Sequence, residues 1–437
     1  MSAVSYTERA TCRLCGTEFA PGLPHPQAAA LLDFGCTPLA NAFLREPGPA
    51  ETYPLYIVAC PSCDHVQLPV VVDPEKLFGD YVYVSGTSPV FVEHFRTLFG
   101  SQVPFVRRGD LVVDIGSNDG TLLKMFKGVG ARVIGVDPAR DIAARATSEG
   151  VPTLPMFFNA VVAQSVLRDH GCARLITANN VFAHADDLAA IATAVHELLA
   201  FDGRFVFEVQ YLGDLIDRGH WDNIYHEHTS YHHIAPLTRF LSAHGLTLTR
   251  VERVETHGGS IRCTAVKSIA FGVRPLHAQP LRLPEMSDEL RARDARLTGT
   301  ALRDELRAIA DDIGEKRIAF ESAFRPGETV VGYGAPAKAT TLLYALGIAA
   351  RFAYIVDDSA FKQGRFMPEG RIPVGPSTAI FGDGVFAPHV VVVLAWNFAD
   401  AIVKRLAPFL EGGAGRRVIV PAPHFKTIES PLTENED

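Results

Sequence analysis

No stretch of this chain is long and apolar enough to span a bilayer: the longest runs, such as "FAPHVVVVLAW", fall well short of the ~20 residues a spanning helix needs. "MSAVSYTERATCRLCG" lacks a basic segment followed by an apolar one, so no secretory signal is read and a cytoplasmic location is expected. Basic excess is missing too. Against 41 Lys and Arg stand 49 Asp and Glu, a net charge of −8 with a pI near 6.1, which argues against the basic stripe of a nucleic-acid surface. That balance still allows one positive pocket for a phosphate-bearing partner. Low-complexity tracts and short solenoid periods are absent. Cysteine is sparse, with seven in 437 residues.

What is present describes a soluble globular chain. Hydrophobic residues make up 47% and charged residues 21%, and the length is too great for a single core. Four of the cysteines form two CxxC pairs, Cys12/Cys15 in "CRLC" and Cys60/Cys63 in "CPSC"; Cys36, Cys172 and Cys263 stand alone. In a cytosolic chain such pairs suggest a metal rather than disulfides. Four thiolates suit tetrahedral zinc, which would tie together a segment rich in turn residues and poor in helical pattern. No base-reading helix follows "CPSC", so the zinc is read as structural.

From about residue 108 the texture changes. "DLVVDIG", "ARVIGVD", "ARLITANN" and "GRFVFEVQ" are short apolar runs separated by helical stretches, the pattern of a parallel sheet covered on both faces. Past a polar connector near 270–286, Leu302, Leu306, Ile309, Ile313, Phe320 and Phe324 repeat at helical spacing up to "RPGE". "TVVGYGAPAKATTLLYALG", "FAYIVDDS" and "HVVVVLAW" then give a second strand–helix–strand series. The expected class is α/β in three parts. A zinc-binding module occupies 1–80, a Rossmann-like domain 81–285, and the long helix with a C-terminal Rossmann-like domain 286–437.

"VVDIGSNDGTLL" reads as strand, glycine turn and helix start. Gly116, Asn118 and Gly120 form G-x-N-x-G rather than the dinucleotide fingerprint G-x-G-x-x-G. Asp114 before the turn suits an ammonium group, and Asp137, ending the next strand in "GVDP", suits a ribose. Ammonium plus ribose without pyrophosphate describes S-adenosylmethionine (SAM) better than NAD. Asn179 and His184 of "TANNVFAHADDL" fall at the carboxyl edge of the sheet, where ligands bind. Asn179 is taken for the cofactor. His184 is a pocket candidate, with a strand-end cap as the alternative.

"DNIYHEHTSYHH" (222–233) packs four histidines, a glutamate, an aspartate and two tyrosines into twelve positions. Read as a strand, it puts Tyr225, Glu227 and Thr229 on one face and His226, His228 and Ser230 on the other. Consecutive His-Glu-His on a strand chelates metal poorly, and the cysteines already complete a site. Acid–base chemistry fits better. A histidine can be neutral near pH 7 and take a proton, and a tyrosine hydroxyl can donate to a developing oxyanion. His232 and His233 are expected at the surface or in packing. In the C-terminal series, Gly332, Gly334 and Lys338 outline an anion seat at a helix start. Asp357 and Asp358 end the next strand, which keeps an NAD-binding reading open; Ala337 holds the last fingerprint position.

The ordered set CxxC…CxxC, "DYVYVSGTS", "DIGSNDGTLL", "NNVFAHADDL", "YHEH", "HGGSIR", "YGAPAKATTLL" and "VDDSAFKQGRFMP" resembles the nucleotide-sugar C-methyltransferases of deoxysugar pathways, over nearly the whole chain. The resemblance implies a zinc-bearing N-terminal domain, a SAM-binding middle and a Rossmann-like C-terminal domain that helps close over a nucleotide sugar. The implied reaction is methylation at C-3 of an NDP-4-keto-deoxysugar, often a dTDP sugar. It points to His228 as base, with Tyr225 and Glu227 alongside, a loop or bulge at this segment, and His184 as a further polar contact. Either Tyr81 or Tyr83 matches an N-terminal active-site tyrosine. His257, Ser260 and Arg262 of "HGGSIR" are candidates for the diphosphate or sugar hydroxyls, with a surface-strand role for Arg262 equally open. The rival readings are an NAD-dependent nucleotide-sugar oxidoreductase and a non-catalytic zinc-containing binding protein on a SAM fold.

Overall fold

The computed structural model describes residues 6–78, 86, 89–268, 283–382, 387–413 and 415–430. Tyr81 and Tyr83 lie outside the described residues. The chain divides into two compact units. One comprises Met1–Ala29, Val58–Asp214 and Thr229–Leu302; the other comprises Ala30–Ile57, Leu215–His228 and Arg303–Asp437.

The first unit is built on a seven-stranded sheet of β1 (Leu111–Ile115), β2 (Arg132–Val136), β3 (Thr153–Leu154), β4 (Ala173–Asn179), β5 (Leu199–Gln210), β6 (Leu246–Val254) and β7 (Ser260–Lys267). Their order is β6-β7-β5-β4-β1-β2-β3, with β1 to β5 parallel and β6 and β7 antiparallel additions. All four expected apolar runs are strands of this sheet. β1 is buried throughout, as a strand covered on both faces must be. Around the sheet pack α1 (Pro89–Gln102), α2 (Thr121–Gly128), α3 (Arg140–Ser148), α4 (Ala160–His170) and α5 (Leu188–Leu198). Leu98 of α1 and Leu122, Leu123 and Phe126 of α2 meet Val112, Leu175 and Val206 in one core, each buried side chain worth about 1.5–3 kcal/mol. Asn159 and Asp187 cap α4 and α5 by accepting from Val162 N at 3.0 Å and Ala190 N at 2.9 Å. The chain runs from β1 to β2 and β3 on one side and returns to β4 on the other, which puts the switch point of the sheet at the carboxyl end of β1, where folds of this kind bind ligands.

The N-terminal part of this unit contributes short pairings. Tyr6–Glu8 pairs with Val70–Val72, and Val66–Gln67 pairs with both Val58–Ala59 and Ser230–Tyr231. Among the described residues before 79, the helical content is one 3-10 turn, Pro26–Ala29, and one five-residue helix, Pro74–Phe78.

The second unit holds a six-stranded sheet of β8 (Val330–Tyr333), β9 (Phe352–Val356), β10 (Val374–Gly375), β11 (Val390–Val393), β12 (Arg417–Val420) and β13 (Lys426–Glu429). Its order is β10-β9-β8-β11-β12-β13, parallel except for the last pair. The helical repeat before "RPGE" is α6 (Gly299–Ala323), with Leu302, Leu306, Ile309, Ile313 and Phe320 buried. α7 (Ala337–Leu346) follows β8 and packs against the strand Leu32–Pro38 and the 3-10 turn Trp221–Asn223. Among the described residues no helix is long and apolar enough to cross a membrane.

Candidate functional site

The four CxxC sulfurs converge. Cys12 Sγ lies 3.7 Å from Cys63 Sγ and Cys15 Sγ 3.4 Å from Cys60 Sγ, and all four fall within 4.8 Å of one another. Tetrahedral zinc at about 2.3 Å from each thiolate would set sulfurs about 3.8 Å apart, so the set fits the ion. Both knuckles turn alike: Gly16 N bonds Cys12 O and Asp64 N bonds Cys60 O, with Gly16 and Asp64 at φ +74° and +63°. Leu14 N and Ser62 N point at Cys12 Sγ and Cys60 Sγ, and Gln67 Nε2 donates to Cys12 Sγ at 3.2 Å. Hydrogen bonds from Cys60 and Cys63 hold the Cys12 thiol far below its ordinary range. The bond with Cys12 pushes Cys60 up to about 12 and raises Cys63 as well.

At the end of β1 the glycine turn is tightly braced. Gly116 has φ +68°, and a Cβ there would lie 2.3 Å from Val181 Cγ2, so only glycine fits. Asp137 accepts from Asn118 N at 2.8 Å and Ala139 N at 2.9 Å, tying the turn to the end of β2. Its carboxylate is therefore a brace of the turn as well as the expected ribose acceptor. Asp114 is buried and accepts from Thr177 Oγ1 at 2.6 Å; burial pushes its pKa up to about 7, against that bond. Asn179, ending β4, has both amide atoms buried without a hydrogen-bond partner among the described residues. Sequence reading missed Thr177 and Asp119. Asp119 holds Thr121 N and Oγ1 through one oxygen and Gly86 N, at 3.1 Å, through the other. The S-N-D-G-T spacing was the available signal. His184 packs edge-on against Phe78, with ring centroids 5.8 Å apart, on the loop after β4.

The histidine cluster reverses in a turn after Tyr225, as the resemblance implies, rather than running on as a strand; Ser230–Tyr231 is paired, and His232 makes an isolated bridge with Tyr211. His228 N bonds Tyr225 O at 2.9 Å, and this reversal brings the two rings together, with centroids 4.1 Å apart and planes inclined by 35°. The alternation that would have set His228 away from Tyr225 is thereby removed. His228 Nδ1 lies 2.8 Å from the carbonyl of Asn223. A carbonyl only accepts, so Nδ1 carries the proton and the basic lone pair of the neutral ring sits on Nε2. Glu227 parts from that pair: it is buried and accepts from Asn41 Nδ2 at 2.7 Å. His226 contacts Pro54 O at 3.2 Å and the edge of Tyr53, and burial lowers its pKa to about 4. In the other unit His232 and His233 are packing residues, buried against Phe182 O and Asp64 O.

Across 433 residues the chain is 36% identical to "C-methyltransferase NovU" of Streptomyces niveus, covering 97% of each. The chain belongs to the C-methyltransferase family. Family models agree along its length: "Putative zinc binding domain" matches residues 12–78, "Methyltransferase domain" 93–251, and "C-methyltransferase C-terminal domain" 255–423. Solved structures that match part of the chain include magnesium protoporphyrin IX methyltransferase (ChlM) from Synechocystis PCC 6803 with bound SAM, at 18% identity. That match covers 44% of this chain and 89% of that one, with a TM-score of 0.32. An S-adenosylmethionine-dependent methyltransferase from Clostridium acetobutylicum ATCC 824 matches at 16%, covering 40% and 90%, with a TM-score of 0.32. Likenesses this distant carry nothing about substrate. The protein is a SAM-dependent C-methyltransferase with SAM and zinc as cofactors.

Elsewhere in this C-methyltransferase, two expected cations are already partnered. Arg262 is no surface residue: it is buried, with Nε donating to Glu208 Oε1 at 2.6 Å, opposite it in the β5–β7 register. His94 Nε2 takes the other Glu208 oxygen at 2.6 Å. Burial alone would push Glu208 up, but His94 and Arg262 outweigh it and hold it below the usual range. Arg262 Nη2 has no hydrogen-bond partner among the described residues. Ser260 donates to Thr256 O at 3.1 Å, and His257 falls in the 3-10 turn Thr256–Gly258.

Lys338 lies 3.4 Å above the Trp396 ring and 3.9 Å from Asp222 Oδ2, which also accepts from Trp396 Nε1. Burial lowers its pKa, with Asp222 opposing. Gly334 N bonds Val356 O at 2.7 Å, and Asp357 accepts from Ala335 N and Ser359 N at 2.7 and 2.8 Å. The same device braces Gly116 and Asp137, a structural repeat that sequence comparison within the chain did not reveal. Gly332 lies within β8 rather than in the turn, so the dinucleotide fingerprint is not reproduced in space.

Burial raises the Glu227 carboxyl to about 7, against the Asn41 bond. The folded chain keeps a proton that the unfolded chain releases near 4.5, so stability from this group is whole below that value and is lost as pH rises through about 7. Glu227→Gln, which retains an acceptor for Asn41, is expected to flatten the loss of melting temperature between about pH 5 and 8. Thermal melts showing the wild-type slope in the variant would refute this.

Proposed function

We propose that this C-methyltransferase moves the methyl group of SAM to C-3 of a nucleotide-linked 4-keto-deoxysugar, a dTDP sugar in the first instance. The observation carrying the reading is the His228–Tyr225 pair: an imidazole whose tautomer is set by Asn223 O, in tilted ring contact with a phenol. His228 Nε2 takes the proton from C-3. The C–H electron pair becomes the C3–C4 double bond, and the ketone oxygen becomes an enolate that Tyr225 stabilises by donating its hydroxyl proton in a hydrogen bond. Bound SAM supplies the electrophilic methyl, and S-adenosylhomocysteine (SAH) leaves as the C–C bond forms. The imidazolium then returns its proton to solvent.

His184 and one of Tyr81 and Tyr83 complete the polar lining in this proposal, and Glu227 supports the turn through Asn41. Asp114, Gly116, Asn118, Gly120, Asp137 and Asn179 hold the cofactor. Asn179's unpartnered amide supports that assignment. His257, Ser260 and Arg262 are proposed for the sugar nucleotide, Arg262 through its spare Nη2. Lys338 is assigned instead to holding the Asp222 segment, since its ammonium already faces a carboxylate and an indole.

The test is mass spectrometry of purified protein with SAM and a panel of dTDP- and other NDP-4-keto-sugars. Expected is gain of one methyl group with equimolar SAH, from 4-keto substrates and not from their 4-hydroxy counterparts. No methylated ketosugar from any panel member, or NAD-dependent turnover instead, would refute it.

A further inference from the structure

The zinc knuckle is wired to the loop that carries His184 and to the residue that follows His228. Gln67 donates to Cys12 Sγ through Nε2, and its Oε1 accepts from Arg13 N at 3.0 Å and Arg13 Nη1 at 3.3 Å. Arg13 is buried. Its Nη1 also reaches Leu68 O, while Nε donates to Asp186 Oδ1 at 3.0 Å. Arg9 Nη1 takes the second Asp186 oxygen at 3.0 Å. Asp186 lies two residues past His184 and one before the cap of α5. A second strand of bonds runs beside the first. Leu68 N donates to Thr229 O at 3.0 Å, and Thr229 Oγ1 bridges Ala183 O and Ala185 O at 3.1 Å each. Ser230 N closes on Ala183 O at 3.2 Å.

We infer that Arg13, with Gln67 and Asp186, is a positioning residue that fixes the 183–186 loop and Thr229 to the cysteine cluster, making the zinc knuckle part of the scaffold of the active site. A cross-link needed only for folding would not require a buried guanidinium spread over three acceptors on two segments. Arginine supplies that fork, and lysine, with one point charge, does not. Outer-shell donors to a metal thiolate orient the ligand and in turn take their orientation from it, so order at zinc passes along the Gln67 amide. The roles of His184 and His228 rest on the proposed reaction; the linkage itself does not.

The experiment compares zinc-loaded wild type with Arg13→Gln, Arg13→Lys and Asp186→Asn, and with Arg9→Gln as a milder change at a half-buried site. Zinc content and SAH affinity are expected to stay at wild-type values. Amide exchange of His184 and Ser230 should quicken by about tenfold or more, the scale of one lost charge-assisted hydrogen bond. kcat should fall about as far with little change in KM for SAM, Arg13→Lys should recover only part, and the Arg13→Gln/Asp186→Asn double variant should fall no further than either single one. Unaltered exchange at His184 and Ser230, or full turnover in zinc-loaded Arg13→Gln, would overturn the inference. If Arg13→Gln fails to fold, Asp186→Asn and Arg9→Gln carry the same criteria. Exchange needs no substrate, so a wild type that transfers no methyl group yet shows this coupling would sink the sugar reading alone.

Discussion

His228→Asn is expected to lower methyl transfer by about 10²–10⁴-fold while leaving SAH affinity intact. The substitution is chosen for what it keeps. An asparagine amide can still donate to Asn223 O, the bond that His228 Nδ1 makes at 2.8 Å, so the turn closed by His228 N and Tyr225 O need not open. What disappears is the lone pair on Nε2. The tilted ring contact with Tyr225 is lost too, worth about 0.5–1.5 kcal/mol, and it bears on position rather than proton transfer. Two measurements separate these effects. Turnover with a 4-keto-sugar reports the whole cycle, and wash-in of solvent deuterium at C-3 with SAH in place of SAM reports proton removal alone. Both should collapse together. A variant turning over at the wild-type rate would end the assignment of His228 as base.

Removal of zinc is expected to produce the largest loss of stability. The segment 6–78 has one five-residue helix and no long amphipathic helix, and part of its strand pairing is with residues far along the chain. Its two knuckles instead bring four sulfurs together from positions 12 to 63. Zinc binding in small modules contributes on the order of 10–16 kcal/mol, comparable to the entire stability of a domain. Without a cation, four thiolates this close would repel one another. Chelation, or Cys63→Ser, should therefore lower the melting temperature in calorimetry and open the chain to proteolysis between residues 16 and 60. Stoichiometric zinc in the purified protein should vanish in parallel. One unshifted transition after complete zinc removal would contradict this account.

Local chemistry was legible in the sequence. Cysteine spacing, alternation of apolar runs with helical stretches, and a glycine turn bounded by Asp114 and Asp137 are properties of near neighbours in the chain. Backbone geometry translates them directly into knuckles, strands and a braced loop. The long helix α6 was readable for the same reason, its buried residues repeating at 3.6-residue spacing.

Partnerships between distant residues were decided only by the tertiary structure. Period two predicted a strand at 225–230, but the pattern cannot register that Ile224 O is held by Thr341 and Glu227 by Asn41, contacts that favour a reversal over extension. Arg262 looked equally suited to surface or ligand until β7 came to lie beside β5 and set it opposite Glu208. The interleaved units arise the same way, since burial rewards whichever segments meet and not those that are adjacent along the chain. Sequence determined which chemistry this protein carries. The fold determined which groups share it, because pairing energy depends on distances that chain order does not encode.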